Sequence, residues 1–307
     1  MIIASIDVGS NSVLLLIAKV NTNEKRIITS RTFYETPRIS EGVSSAGYIN
    51  ESKQKLLFSV LEKFHGMIQQ HKVDEVLITA TKAFRVAGNA LAIVSEIEQR
   101  FAWKTKIISG EDEARLTFLG TTYPFQDSTT LQGVIDIGGG STEIVTGNKN
   151  QISFKKSFDI GIVSMTEKFF LHDPPQKSEI EVGVKYINYI LTPTLPELEK
   201  IGIFHAVAGT PTTLACIKIC TQTFDENRID GYNLLISDIE NIKTKLEKKS
   251  AEIIRRDYGE IVEGREDVLL AGTIILEQIM MKLGLRNISV STRGLRFGVI
   301  YDHLQWL

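Results

Sequence analysis

Short apolar or β-branched runs at residues 2–8, 12–20 and 25–35, separated by turn-forming residues, predict an antiparallel meander. The period then changes. Over 51–71 the apolar residues Leu57, Val60, Leu61, Phe64 and Ile68 recur near helical spacing, which predicts an amphipathic helix. A strand over 73–80, a helix over 88–101, a strand over 104–109 and a helix over 111–120 follow. After a polar turn at 123–128, a second meander is expected at 131–137, 141–147 and 151–158. Helices are predicted over 161–171, 178–192, 210–220, 237–250, 265–283 and 294–304, with strands near 203–208 and 287–291. There is no low-complexity tract and no long Pro/Gly/Ser linker.

The two meanders open on one motif. Ile6-Asp7-Val8-Gly9-Ser10-Asn11-Ser12-Val13-Leu14-Leu15 aligns in register with Ile135-Asp136-Ile137-Gly138-Gly139-Gly140-Ser141-Thr142-Glu143-Ile144, and Asp7 and Asp136 are 129 residues apart. Each copy is an apolar strand ending in Asp, a Gly/Ser turn and another apolar strand, followed by alternating helix and strand. The repeat predicts two similar α/β units, and units that face each other would place the two turns across one cleft.

The turns have a definite chemistry. Glycines admit positive φ and let backbone N–H groups converge on an anion, while Ser and Thr hydroxyls add donors. Asp at a strand end supplies a hard oxygen suited to Mg²⁺ beside phosphate. One Asp-x-Gly hairpin is explained by turn geometry alone. Three consecutive glycines before Ser-Thr-Glu are not, because each extra Gly costs roughly 0.5–1 kcal/mol. Phosphate binding is the better reading. A third glycine turn, Ala208-Gly209-Thr210-Pro211-Thr212-Thr213, opens a helix and reads either as an anion site or as an ordinary N-cap.

Composition narrows the partners. Thirty-five Lys and Arg against thirty-seven Asp and Glu give a formal charge of -2, which argues against a wholesale basic surface for duplex nucleic acid. The strongest apolar run, Val13 to Ala18, is six residues long, well short of the roughly 18 of a membrane span. With no basic leader after Met1, no secretory signal and no membrane partner are expected, and the location is expected to be cytoplasmic. Cys216 and Cys220, four apart in a predicted helix, are expected to be buried free thiols. No Cys/His zinc pattern is present. Length 307 suggests about two domains of roughly 100–200 residues.

Asp7-Val8-Gly9-Ser10-Asn11-Ser12, Asp136 to Glu143 and Gly209-Thr210 resemble the phosphate turns of the actin-like/Hsp70/sugar-kinase superfamily. Within it the chain resembles the exopolyphosphatase/guanosine pentaphosphate phosphatase (Ppx/GppA) family, short form. Further matches are Ala80-Thr81-Lys82-Ala83-Phe84-Arg85, Ser109 to Leu116, Arg265-Glu266-Asp267-Val268 and Gly294-Leu295-Arg296. The resemblance implies an α/β fold of two related actin-like (ribonuclease-H-like) domains, each a mixed sheet with flanking helices, facing across a cleft. The expected domains are 1–124 with the C-terminal segment 292–307, and 125–291.

It also implies roles. Glu113 matches the family's catalytic Glu, which would orient and deprotonate the attacking water; outside the resemblance, Glu111-Asp112-Glu113 reads as a solvated charge run. Asp7, Asp136 and Glu143 match acidic positions that hold a divalent cation, Mg²⁺ or another, or the scissile phosphate, with Glu143 a second catalytic carboxylate. Arg85 matches a phosphate-contacting Arg, alongside Ser10, Asn11, Ser12, Gly138, Gly139, Gly140, Ser141, Thr142, Gly209 and Thr210. The implied activity is release of terminal orthophosphate from polyphosphate or guanosine pentaphosphate. The alternatives are an ATP-dependent kinase or ATPase of the same superfamily and a non-catalytic nucleotide-binding regulator; a homodimer is left open. Lys82 and Phe297 depart from the family pattern, putting chain-length preference in question more than chemistry. His172-Asp173 before Pro174-Pro175 reads as a turn, and Arg255-Arg256 with Arg265 as a solvated basic cluster or a polyanion path.

Overall fold

A computed structural model describes residues 1–125, 130–148, 150–194, 201 and 203–306. The chain divides into two compact units, Met1–Gly120 with Gly294–Leu307, and Thr121–Arg293. Residues 126–128 of the expected turn, and Leu307, lie outside the described residues.

In the first unit, β1 (Ile2–Val8), β2 (Val13–Asn21) and β3 (Arg26–Glu35) form the expected meander. Four helices follow, with two strands among them: α1 (Val43–Ala46), α2 (Glu51–Gln70), β4 (Glu75–Ala80), α3 (Lys82–Val86), α4 (Ala90–Phe101) and β5 (Thr105–Ile107). The sheet order is β3-β2-β1-β4-β5, antiparallel within the meander and parallel from β1 to β5. Leu57, Leu61, Phe64 and Ile68 on one stripe of α2 are buried with Ile6, Val8, Leu15 and Ile17 of the sheet. Asn50 caps α2, its side chain accepting from Lys53 N at 2.9 Å.

α5 (Gly110–Thr122) is held against the C-terminal helix Leu295–Trp306 by glycines. A Cβ on Gly120 would lie 2.1 Å from Gly294 O, and one on Gly298 only 1.8 Å from Leu116 O. No side chain fits where these two backbones meet. Leu116, Leu295 and Val299 form a small apolar cluster beside the crossing.

The second unit repeats the plan. β6 (Gln132–Ile137), β7 (Thr142–Gly147) and β8 (Ile152–Phe158) form its meander, followed by α6 (Ile162–Phe169), α7 (Lys177–Leu191) and β9 (Ile203–Val207). α8 (Gly209–Lys218), α9 (Glu226–Ile229), β10 (Asn233–Leu235), α10 (Ile236–Leu246), α11 (Ala251–Tyr258), α12 (Leu269–Lys282) and β11 (Asn287–Val290) complete it. The sheet order β10-β11-β9-β6-β7-β8 is the first unit's order with one added antiparallel edge strand. α12 is apolar almost all round and lies in the core, as such a helix must.

Several expected elements are corrected by long-range contacts. The helix expected at 88–101 begins at Ala90, and a separate α3 precedes it. The break at 87–89 is set by Asn89, whose side chain accepts from Ile49 N at 3.0 Å and donates to Ile49 O at 2.8 Å. The helix expected over 237–250 stops at Leu246, and a further helix, α11, starts at Ala251, where Ser250 caps it and Ala251 N donates to the Asp173 carboxylate. The one expected from 265 starts at Leu269, after Gly264 at φ 69°. α8 stops at Lys218, and Cys220 takes φ 54° and is exposed, so only Cys216 is the buried thiol expected. His172 and Asp173 lie in a bend ahead of α7. Among the described residues, no helix is long and apolar enough to cross a membrane.

Candidate functional site

The two repeated turns share one hydrogen-bonding scheme. Gly9 N donates to Ser12 O at 3.1 Å, and Gly138 N donates to Ser141 O at 2.9 Å. A Cβ would sit 2.9 Å from Ser12 O in the first and 3.0 Å from Ser141 O in the second. Glycine is required at both by the same tight reversal.

The turn carbonyls face inward. Ser10 O and Asn11 O accept from Ser40 N at 3.0 Å and Arg38 N at 2.9 Å. In the second unit Gly138 O and Gly139 O accept from Ile162 N at 3.0 Å and Val163 N at 2.8 Å, capping α6. In a trans peptide the N–H opposes the preceding carbonyl. The N–H groups of Asn11 and Ser12, and of Gly139 and Gly140, therefore point away from these inward partners. Each turn presents a pair of backbone donors, an arrangement suited to an anion.

Not every expected donor is available. Gly138 N–H is committed to Ser141 O, and Thr142, fully buried, donates its hydroxyl to Ile160 O at 2.5 Å. These two residues shape the second turn. Gly161 packs against it, for a Cβ there would lie 2.4 Å from Gly139 O. Ser10 and Asn11 are nearly buried, and Asn11 Oδ1 has no hydrogen-bond partner.

The carboxylates differ between the copies. Asp7 faces Leu14 across β1 and β2, whereas Asp136 faces Glu143 across β6 and β7. Directly opposed residues of an antiparallel pair project from one face, and like charges so placed repel. Glu143 is 1% exposed and accepts from Ser157 Oγ at 2.6 Å. Two hard oxygen donors on one face, and in the first unit Asp7 with the partnerless Asn11 Oδ1 in the following turn, are donor chemistry that fits a divalent cation. Among the described residues no group of three or more His, Cys, Asp or Glu is gathered for a metal ion, so water and phosphate oxygens would complete the shell.

Glu113 lies in the first turn of α5, which Ser109 caps by accepting from Asp112 N at 3.0 Å. Arg85, expected to contact phosphate, is carried by the short α3 that the apolar pattern did not reveal. Arg85 Nη1 donates to Glu113 Oε2 at 2.7 Å and to Ile108 O at 3.1 Å. Thr81 also hydrogen-bonds the Glu113 side chain, and the charge of Lys82 acts on it. Glu113 is 8% exposed, and burial pushes its carboxyl above the ordinary carboxylate range against the opposing pull of Arg85 and Lys82. It is thus a sheltered carboxylate and not a solvated member of the charge run.

The third glycine turn is occupied from above. A Cβ on Gly209 would lie 1.3 Å from Arg265 Nη1, so the guanidinium rests on the first residue of α8. Thr210 is buried against α12, where a Cβ on Gly272 would meet its Oγ1 at 2.2 Å. Arg265 is therefore separate from the solvated cluster expected for it. Arg255 bonds Gly259 O at 2.7 Å and Glu263 at 3.2 Å, while Arg256 pairs with Asp257. The only sequence signal for Arg265 was its place in the Arg265-Glu266-Asp267 match. Phe297, the other departure, is buried under the Arg296 guanidinium, 5.3 Å from its ring centroid.

Residues 16–306 match the Ppx/GppA phosphatase family. The chain belongs to that family. It is 30% identical to a bifunctional 3-dehydroquinate synthase/phosphatase of Fusobacterium nucleatum over 98% of its own length, spanning 46% of that longer protein. It is 27% identical to exopolyphosphatase 2 of Mycobacterium tuberculosis, over 97% of each chain. An exopolyphosphatase from Cytophaga hutchinsonii superposes with a TM-score of 0.90 at 25% identity, covering 100% of this chain and 99% of the other. The two mixed sheets with flanking helices are the actin-like two-domain fold of this family.

Proposed function

We propose that this family member is an exopolyphosphatase, releasing orthophosphate from the end of an inorganic polyphosphate chain. The observation that carries the reading is the buried Glu113 held by Arg85 at 2.7 Å, a base beside a phosphate-binding cation. The names of the Mycobacterium and Cytophaga relatives agree with it.

Glu113 takes a proton from water as the water oxygen bonds to the terminal phosphorus. The anhydride P–O bond breaks, and its electron pair leaves on the shortened chain. Phosphoryl transfer asks the protein mainly for positioning and charge stabilisation. The outward N–H pairs of Asn11 and Ser12, and of Gly139 and Gly140, bind phosphate oxygens, and Ser10 and Ser141 line the same turns. Gly209 and Thr210, under Arg265, form a further anion-binding helix start in the second unit. Asp136 and Glu143 would hold a divalent cation such as Mg²⁺, with Asp7 the equivalent residue of the first unit. The bound cation supplies neutralisation of phosphate charge.

The test is phosphate release from polyphosphate, guanosine pentaphosphate and ATP with Mg²⁺, and transfer to ADP. Release from polyphosphate is expected, and Glu113→Gln should lower kcat by on the order of 10²–10⁴ with the fold intact. Release from none of the three sinks the hydrolase reading. Release from guanosine pentaphosphate alone moves the substrate, and net transfer to ADP indicates a transferase.

A further inference from the structure

The two sheets end differently. β3, ten residues long, is the outermost strand of the first sheet, and β8, seven long, has the same place in the second. An open strand edge is a template for a further strand, and lysines along it discourage one. β8 carries Lys155 and Lys156 side by side near its middle. β3 carries neither lysine nor proline, and Arg26, Ile28, Thr29, Ser30, Arg31 and Tyr34 are exposed along it. Its one irregularity is at Ile28, and from Thr29 to Glu35 the pairing with β2 is regular.

Alternation puts Arg31, Phe33 and Glu35 on one face of this regular stretch. That face looks toward α2, because Phe33 packs on the core of the unit and Lys63 of α2 bonds Glu35 Oε1. Arg31 is exposed and, among the described residues, has no ion-pair partner. The stretch therefore holds one cation and one anion two places either side of an aromatic ring.

We propose that β3 is the contact with a second copy of this chain, paired antiparallel with the partner's β3 about a two-fold axis at Phe33. In an antiparallel pair of identical strands the axis passes through one residue that faces its own copy, and that residue fixes the register. With Phe33 on the axis, Arg31 lies directly opposite the partner's Glu35, and Glu35 opposite the partner's Arg31. Phe33 meets the partner's Phe33, and Thr32 meets the partner's Tyr34. Directly opposed residues have Cβ atoms about 4.5–5.5 Å apart, and opposite charges or aromatic rings so placed favour pairing. Glu35 accepts from Lys63 at one oxygen and offers the other to the arginine. An axis at Arg31 would instead oppose two like charges. The ladder closes at Pro37, which has no N–H to give. Two five-stranded sheets become one, and the exposed edge of β3 is covered.

Sedimentation equilibrium of the full chain over about 1–100 µM is the test. The wild type is expected to dimerise within that range, as suits an interface of one strand edge. Arg31→Glu or Glu35→Arg alone sets like charges opposite each other and should weaken the dimer about tenfold or more. The two together restore the pair, and the double variant should recover the wild-type constant. In a Cys220→Ser background, which removes the exposed thiol, Phe33→Cys should give a disulfide-linked dimer on oxidation. Leu91→Cys, at an equally accessible place on α4, should not. A wild-type monomer throughout, a dimer untouched by either charge reversal, or a double variant as weak as the single ones overturns the proposal. So does cross-linking that is equal at positions 33 and 91.

Discussion

The turns at 8–13 and 137–142 have one backbone and two chemistries. Both close with glycine N–H donating to a serine carbonyl, and both bury their carbonyls and turn two N–H groups outward. They differ in what lies across the strand pair from the aspartate, Leu14 in one and Glu143 in the other. They differ too in what receives the carbonyls, an irregular segment at 38–40 or the first N–H groups of α6. The outward pair of N–H groups is thus a property of the repeat. The extra carboxylate, Glu143 opposite Asp136, belongs to the second copy alone.

Removing that carboxylate should have the largest effect. Glu143→Ala is expected to lower kcat/KM by on the order of 10²–10³ and to shift the Mg²⁺ dependence. Leu14→Ala, at the matching position, should cost only about 1 kcal/mol of stability and leave the metal titration alone. Equal kinetic losses in both would erase the distinction between the turns. Next comes the support behind each turn. Gly161→Ala drives a Cβ to within 2.4 Å of Gly139 O and 2.5 Å of Gly140 C, and should destabilise by about 1–3 kcal/mol. Gly9→Ala meets a single atom at 2.9 Å and should cost less, as denaturant midpoints will report.

The smallest effect concerns the thiols, both in the second unit. Burial pushes Cys216 up to about 11, while Cys220 is exposed. A thiol reagent should modify Cys220 in the native protein and reach Cys216 only on unfolding. Between about 9 and 11 the unfolded chain releases the Cys216 proton and the folded chain does not. Stability should therefore fall with rising pH across that window, and the fall should lessen in Cys216→Ala, leaving the part due to Lys218 and Lys249, which are held protonated by Asp238 and Asp257.

The repeat was legible because its two copies are local: strand, turn and strand lie within ten residues of one another, and side-chain alternation reads directly as sheet faces. Glu113 is a different matter. Its shelter comes from Arg85 and Thr81, on a segment separated from it by α4 and β5, and only the family resemblance drew attention to it. The helix that carries Arg85 went unseen because Asn89 and Ile49, forty residues apart, decide where it ends. The seat of Arg265 over Gly209 leaves no periodic trace either, since it depends on a missing Cβ facing a distant side chain. The same holds for Thr142, whose hydroxyl is taken by Ile160 O, eighteen residues along the chain.

The glycine crossing of α5 with Leu295–Trp306 has a consequence for synthesis. The first unit takes one helix from beyond the 173 residues that fold as the second unit, Thr121–Arg293. On the ribosome the second unit can complete its core while α5, already made, still lacks its partner. The exposed flank of α5 would then wait, chaperone-accessible, until Gly298 emerges to meet Leu116. Glu113 rides on that helix, so the helix that carries it packs in full only after the second unit has been made.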